Sequence, residues 1–149
     1  MCAVFAMAVT AMAADNTLGT WKYNTAKSKP AAGVSPIESL TVTREATNGT
    51  VTISAKGERK DGSKIDTVTT TKYDGAASSV TGTGLAWDST TIKQINANTL
   101  SEERSKQGGK YHSTVRTVVS KDGKTMTGST KGTDAEGKPF TSVAVFDKQ

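Results

Sequence analysis

The stretch NGTVTISAKGERKDGSKIDTVTTTKYDG, residues 48–75, decides the fold of this chain. Within it Val51, Ile53 and Ala55 alternate with polar side chains. A period of two puts the apolar side chains on one face of a strand and the polar ones on the other. The run is followed by an Asp-Gly pair, which suits a tight hairpin because glycine adopts positive φ without strain. The pattern predicts a β-hairpin with one buried face.

The same turn chemistry recurs along the chain, and the segments between turns are rich in Thr, Val, Ser and Ile, which suit a pleated sheet. The turn pairs are Asn48-Gly49, Asp61-Gly62, Asp74-Gly75, Gly108-Gly109, Asp122-Gly123 and Glu136-Gly137. About ten strands are predicted, over residues 17–24, 37–46, 50–58, 63–73, 77–84, 90–96, 98–106, 110–120, 124–132 and 138–147. Because closure removes the exposed edges of such a meander, we predict an all-β fold, an antiparallel up-and-down β-barrel, with a β-sandwich as the alternative.

Two links are longer than the hairpin turns and are the expected mouth of the barrel. The first is TAKSKPAAGVSP, residues 25–36, in which three Pro and Gly residues exclude a regular helix. The second covers residues 82–88 and contains Trp87. Trp87 is either packed over the rim or part of a lid at the mouth, where it would contact a ligand.

The N-terminal segment predicts export. Residues 3–9 form a short apolar run, and Ala11-Met12-Ala13 is a small-x-small site before Asp15. We expect a secretory signal peptide over residues 1–13, although no basic residue precedes Lys22, and a single domain over residues 14–149. The mature protein is then secreted or periplasmic, without a transmembrane segment. It also lacks cysteine, since the single Cys2 lies in the signal, so its fold depends on its core rather than on disulfides.

The charge of +5 is scattered rather than clustered. Lys and Arg occur in turns beside Asp or Glu, and they are not interleaved with the surface aromatic residues that single-stranded nucleic acids stack on. We therefore expect no nucleic-acid partner.

The segment Gly19-Thr20-Trp21-Lys22, followed by a long loop and a meander, resembles the calycin superfamily of lipocalins and fatty-acid-binding proteins. The segments GTWKYNTAKSK, VVSKDGKTMT, KGTDAEGKPF and VAVFDKQ are similar to small secreted bacterial lipocalin-like proteins. The resemblance implies a calyx fold and binding of a small apolar or amphipathic molecule. It also implies structural roles for Gly19 and for Trp21 as the plug of the closed end.

The chain departs from both families. Fatty-acid-binding proteins have a helix-turn-helix after the first strand and an Arg-x-Tyr on the last, and this chain has neither. Lipocalins pack an arginine near the end of the barrel over the signature Trp, and no Arg follows Arg116 here. The resemblance therefore carries no fatty-acid site over by residue.

A polar strand supplies two further candidates. Glu102 and Arg104 share one face of the segment 100–106, in which neither face is apolar beyond Leu100. The segment is either a mobile edge, which we favour, or it lines a wet lumen where Arg104 holds an anionic head group and Glu102 neutralises it. Tyr111, on the apolar face of the strand over residues 110–120, is the remaining ligand-binding candidate.

Catalytic and metal sites are not expected. His112 is the only histidine, it shares a face with Lys110 and Arg116, and zinc needs several ligands. Glu102 and Glu103 point to opposite faces of a strand and cannot act as a pair. We therefore predict a binder without a cofactor rather than an enzyme. The alternative is a filled barrel that acts as an envelope-associated or interaction protein through its basic outer surface.

Overall fold

A computed structural model describes residues 13–149 and contains ten antiparallel strands in this part of the chain. Each strand pairs with the next, and β1 pairs with β10, which closes an up-and-down barrel. The strands are β1 (Gly19–Tyr23), β2 (Ile37–Thr47), β3 (Thr50–Arg59), β4 (Lys64–Thr71), β5 (Asp74–Thr83), β6 (Ser89–Asn96), β7 (Thr99–Ser105), β8 (His112–Val119), β9 (Thr125–Thr133) and β10 (Pro139–Lys148). The predicted fold class is confirmed, and the sandwich alternative is wrong because the sheet closes on itself. The predicted signal peptide lies outside the described residues except for Ala13, and no helix of the described part could span a membrane.

The turns follow the predicted chemistry with one exception. In each of the six predicted pairs, one glycine has a φ between 71° and 86°. Asp74 and Gly75, however, already belong to β5, and the β4–β5 turn is centred one residue earlier, where Tyr73 has a φ of 57°. An aromatic residue rarely adopts this conformation, so Tyr73 is held there by its surroundings.

The strand directions give the barrel two different ends. The hairpins β2–β3, β4–β5, β6–β7 and β8–β9 lie at one end, together with the start of β1. The two links predicted to form the mouth lie together at the other end, with the segment over residues 24–36 joining β1 to β2 and that over residues 84–88 joining β5 to β6. We call the first end the closed end and the second the mouth.

The apolar side chains that point inward form two clusters. The larger one surrounds Trp21 and Phe146, and the smaller one contains Tyr73, Ile92 and Leu100. Threonines occupy many of the other inward positions, including buried ones on β4 and β8. Apolar side chains and threonine hydroxyl groups therefore share the interior, an arrangement that leaves polar groups available to a guest molecule.

Glycines on the mouth half of three strands allow neighbouring backbones to approach closely. A Cβ at Gly132 would lie 2.1 Å from the carbonyl oxygen of His112 and 2.6 Å from the Cα of Ser113. Gly57 on β3 and Gly82 on β5 face similar backbone contacts. Such positions are where a sheet bends to close a small barrel.

Gly132→Ala is expected to lower the free energy of unfolding by about 2 kcal/mol, since the added methyl group must push β8 and β9 apart. Gly128→Ala on the same strand is the matched control, because its Cβ would meet nothing nearer than the Val115 methyl group at 3.7 Å. Urea denaturation of both variants measures the difference. Equal losses in the two variants would show that the close approach at Gly132 does not matter.

Candidate functional site

The barrel encloses a cavity of about 590 Å³ that opens at the mouth. Its walls are formed by inward side chains of the barrel strands, and its rim by the two loops predicted to form the mouth together with the β9–β10 turn. Residues 29–35 line it from the first loop and residues 85–87 from the second. The first loop is fastened to β10, because Lys29 and Val143 exchange backbone hydrogen bonds of 2.7 and 2.8 Å.

Three aromatic side chains are in contact near the mouth. The rings of Trp87 and Tyr111 are stacked, with centroids 5.6 Å apart and planes at 22°. The Phe140 ring lies 5.8 Å from that of Tyr111. Tyr111 is buried and its hydroxyl is 3.1 Å from the Ser113 Oγ. The stack gives the upper cavity a flat apolar wall, on which aromatic or aliphatic groups can pack.

Glu102 and Arg104 lie in the wall of the cavity, on the same face of β7. The Arg104 Nε donates to Glu102 Oε1 at 2.8 Å, and a terminal nitrogen donates to Oε2 at 2.9 Å. Thr90 donates to Oε1 at 2.8 Å. The Arg104 guanidinium also lies 4.3 Å from the centroid of the Trp87 ring. This arrangement is a bidentate ion pair stacked against an aromatic face.

The favoured interpretation of this segment as a mobile edge is wrong. β7 pairs with β6 on one side and with β8 on the other, so neither of its edges is free. The strand is polar because it faces a cavity that is not filled by apolar side chains. A sequence shows local composition but not which strands flank a segment.

The ion pair determines the charge states of both groups. Burial alone would raise the pKa of Glu102, but the charge of Arg104 and the hydrogen bonds from Arg104 and Thr90 together lower it below its usual range. Burial opposes the charge on Arg104 as well, and the adjacent carboxylate outweighs that effect and raises its pKa. Glu102 is therefore a carboxylate at neutral pH, fully engaged with Arg104 and Thr90.

A second arginine in the cavity wall was not a candidate from sequence. Arg44 on β2 is 8% exposed, and one terminal nitrogen donates to the Tyr73 hydroxyl at 2.9 Å. Its Nε is buried without a hydrogen-bond partner among the described residues. The available signal was the alternation Leu40, Val42, Arg44, in which an arginine interrupts an inward apolar face.

The two structural candidates lie at the closed end. Trp21 is completely buried and its Nε1 donates to the Thr17 carbonyl oxygen at 2.8 Å. Lys148, on the last strand, places its Nζ 4.7 Å from the Trp21 ring centroid, where the resemblance implies an arginine. Gly19 has a φ of 116°, and a Cβ there would meet the Lys148 side chain at 3.1 Å.

His112 is exposed on the outer surface, as are Lys110 and Arg116. Within residues 13–149, no three acidic, histidine or cysteine side chains are grouped as metal ligands would be.

No protein-family description and no curated protein sequence matches this chain. A solved structure, "Structure of EF1p2_mFAP2b bound to DFHBI", is similar with a TM-score of 0.49 and 11% sequence identity. The match covers 90% of this chain and 94% of that one. The closed ten-strand barrel is itself consistent with a calycin-type fold.

Proposed function

We propose that this protein binds a small amphipathic molecule non-covalently inside its barrel. The observation that carries the proposal is the open cavity of about 590 Å³. Small-molecule sites are concave, largely apolar and typically about 300–1,000 Å³ in volume, with a few polar groups that orient the ligand. A barrel filled by its own side chains would not contain such a space, so the cavity favours a carrier over a protein that acts through its outer surface.

The lining favours an amphipathic ligand over a purely apolar one. Aliphatic and aromatic side chains supply most of the wall, whereas Arg44, Glu102 and Arg104 bring charge into it and Thr67, Thr69, Thr117 and Thr130 bring hydroxyl groups. A hydrocarbon that covered these groups would remove them from water without offering hydrogen bonds, which costs free energy. A ligand with one polar end and one apolar end can match both kinds of surface.

The mouth gives Trp87 and Tyr111 a direct role in this proposal. Both line the cavity beside the opening, and their stacked rings can pack against the apolar part of a guest. Glu102 and Arg104 form the polar part of the same wall.

The neutral dye N-phenyl-1-naphthylamine, which fluoresces strongly in apolar surroundings, tests the proposal. We expect the full chain to bind it, and Thr130→Phe to weaken binding at least about tenfold, because the ring occupies the cavity that Thr130 lines. Ser129→Phe is the matched control, since Ser129 is the exposed neighbour on the same strand and faces outward. The control variant should bind the dye within about twofold of the wild type.

Dye binding that both substitutions reduce equally, or that neither affects, would place the dye outside the barrel and contradict the proposal. Circular dichroism of the two variants establishes that each retains its β-structure.

The proposal also covers the cellular compartment of the protein and the absence of a catalytic activity. We propose a lipocalin-like binder, not an enzyme, that works in the secreted or periplasmic space after removal of residues 1–13. Support comes from the apolar run and small-x-small site in the sequence. Mass measurement of the exported protein tests this, because cleavage after Ala13 gives a chain that begins at Ala14.

A further inference from the structure

Among residues 13–149, Arg44 is a buried positive charge that makes no hydrogen bond to a carboxylate. Its hydrogen bond goes to the Tyr73 hydroxyl, and its Nε has no partner within that part of the chain. An arginine stays protonated, so burial cannot be relieved by loss of the charge. An unpaired buried charge is costly, and an anion that binds to it would offset that cost.

Glu102 does not serve as that partner. It is the one acidic side chain that is buried among the described residues, and both of its oxygens accept hydrogen bonds from Arg104. Its attraction to Arg44 acts through space, without a hydrogen bond. The cavity therefore contains two guanidinium groups and one carboxylate in its buried wall, which leaves one positive charge in excess at Arg44.

We propose that Arg44 is the subsite for an anionic head group, and that the protein's ligand is an amphipathic anion with oxygen acceptors, such as a carboxylate, sulfonate or phosphate. This inference rests on the proposed function, that is, on a ligand in the cavity. A guanidinium matches two oxygens of one anion with parallel N–H donors. Tyr73 accepts its bond from Arg44, so its own hydroxyl proton is free to donate to the same anion.

The position of Arg44 sets the orientation of the ligand. Arg44 pairs in register with Gly19 and Ile53, and its partner Tyr73 lies in the β4–β5 turn of the closed end. The opening is at the other end, beside Trp87. The head group of the ligand must therefore bind near the closed end. The apolar part of the ligand then extends from the head group toward the aromatic stack at the mouth. Arg104, which the sequence suggested as the anchor, is ion-paired with Glu102. It belongs to the part of the cavity wall that lies beside the apolar part of the ligand.

Two dyes that differ in one group test the subsite. Binding of 1-anilinonaphthalene-8-sulfonate is compared with binding of N-phenyl-1-naphthylamine, which has the same rings without the sulfonate. In Arg44→Met we expect the affinity for the sulfonate dye to fall at least about tenfold, because its charged hydrogen bonds are lost. The affinity for the neutral dye should change less than about threefold, since Met keeps the apolar contact.

A second variant tests the competing anchor without changing the net charge of the cavity. The double substitution Glu102→Leu with Arg104→Met removes one negative and one positive group together. We expect it to change the affinities for the two dyes by a similar factor, so that the ratio of the two affinities stays within about threefold of the wild-type ratio. A selective loss of sulfonate-dye binding in this double variant, with sulfonate-dye binding retained in Arg44→Met, would place the head group on Arg104 and overturn the inference.

Further controls separate folding from binding. Arg44→Met should fold at least as stably as the wild type because it removes an unpaired buried charge. Arg44→Lys provides a milder variant, which keeps the charge, loses the planar fork and should lower sulfonate-dye affinity by about threefold. Arg116→Met, on the outer surface, should change neither affinity.

The failures of the two proposals are distinguishable. If the neutral dye binds in the cavity and Arg44→Met lowers the affinities for both dyes equally, or lowers neither, the proposed anion subsite is wrong and the proposed binding function stands. If the wild type binds neither dye, both proposals fail.

Discussion

Trp21→Ala is expected to lower the free energy of unfolding by about 4 kcal/mol, the range found when a fully buried large aromatic residue is truncated. Trp21 is 0% exposed, lies at the closed end and belongs to the larger apolar cluster of the barrel interior. The substitution removes this packing and the hydrogen bond to the Thr17 carbonyl oxygen, and it leaves the Lys148 ammonium without its aromatic partner.

Trp87→Ala is the matched control for this prediction, since it is the same chemical change at the partly exposed mouth. We expect it to cost about 1 to 2 kcal/mol, because the ring is only half-buried. Urea denaturation followed by far-UV circular dichroism measures both variants. A loss in Trp21→Ala no larger than that in Trp87→Ala would mean that Trp21 does not plug the barrel.

Glu102→Gln is expected to destabilise the ligand-free protein by about 3 to 5 kcal/mol at pH 7, the range for removing one partner of a buried ion pair. Glutamine keeps the shape of the side chain but loses the charge and one of the two oxygens that accept from Arg104. Arg104 and Arg44 would then both be positive charges in the cavity wall without a carboxylate near them. The cost is therefore dominated by uncompensated charge rather than by lost packing.

The pH dependence of this variant has a definite sign. Since the pKa of Glu102 is lower in the folded state, the carboxylate stabilises the fold fully above the pKa of an unfolded glutamate, about 4.3. That contribution is lost as the pH falls through the lower, folded-state pKa. The stability difference between wild type and Glu102→Gln should therefore narrow in acid.

Glu103→Gln is the matched control, because Glu103 is the next residue along β7 and its side chain is exposed on the outer face. Its effect should be within about 0.5 kcal/mol of zero at every pH. A pH-independent difference for Glu102→Gln would contradict the ionised pair.

The architecture could be predicted from the sequence because local rules determine it. Hairpin glycines and a period of two specify antiparallel neighbours, and closure follows from the number of strands. The mouth was also predictable, since the two links that the sequence predicts to be the longest lie at the same end of a meander when an even number of strands separates them. Apart from the β1–β10 closure, each strand is hydrogen-bonded to the strands that precede and follow it in the sequence.

The site was predictable only in part, because it depends on contacts across the barrel. Glu102 and Arg104 two residues apart indicate a shared face, but not that the face is the inner one. The subsite at Arg44 depends on Tyr73, which is 29 positions away in sequence. Lys148 contacts Trp21 from the opposite end of the chain. The resemblance implies an arginine in this place, so the sequence did not indicate that a lysine would take it.

The central claim is that this barrel carries a small amphipathic molecule in its cavity, and native mass spectrometry of the full chain, gently purified from the cells that export it, tests that claim most directly. We expect a reproducible extra mass that organic solvent removes, and we expect Thr130→Phe to lose it while Ser129→Phe retains it. A protein that carries no added mass, together with no binding of the neutral or the sulfonate dye, would contradict the claim and point to a function on the outer surface.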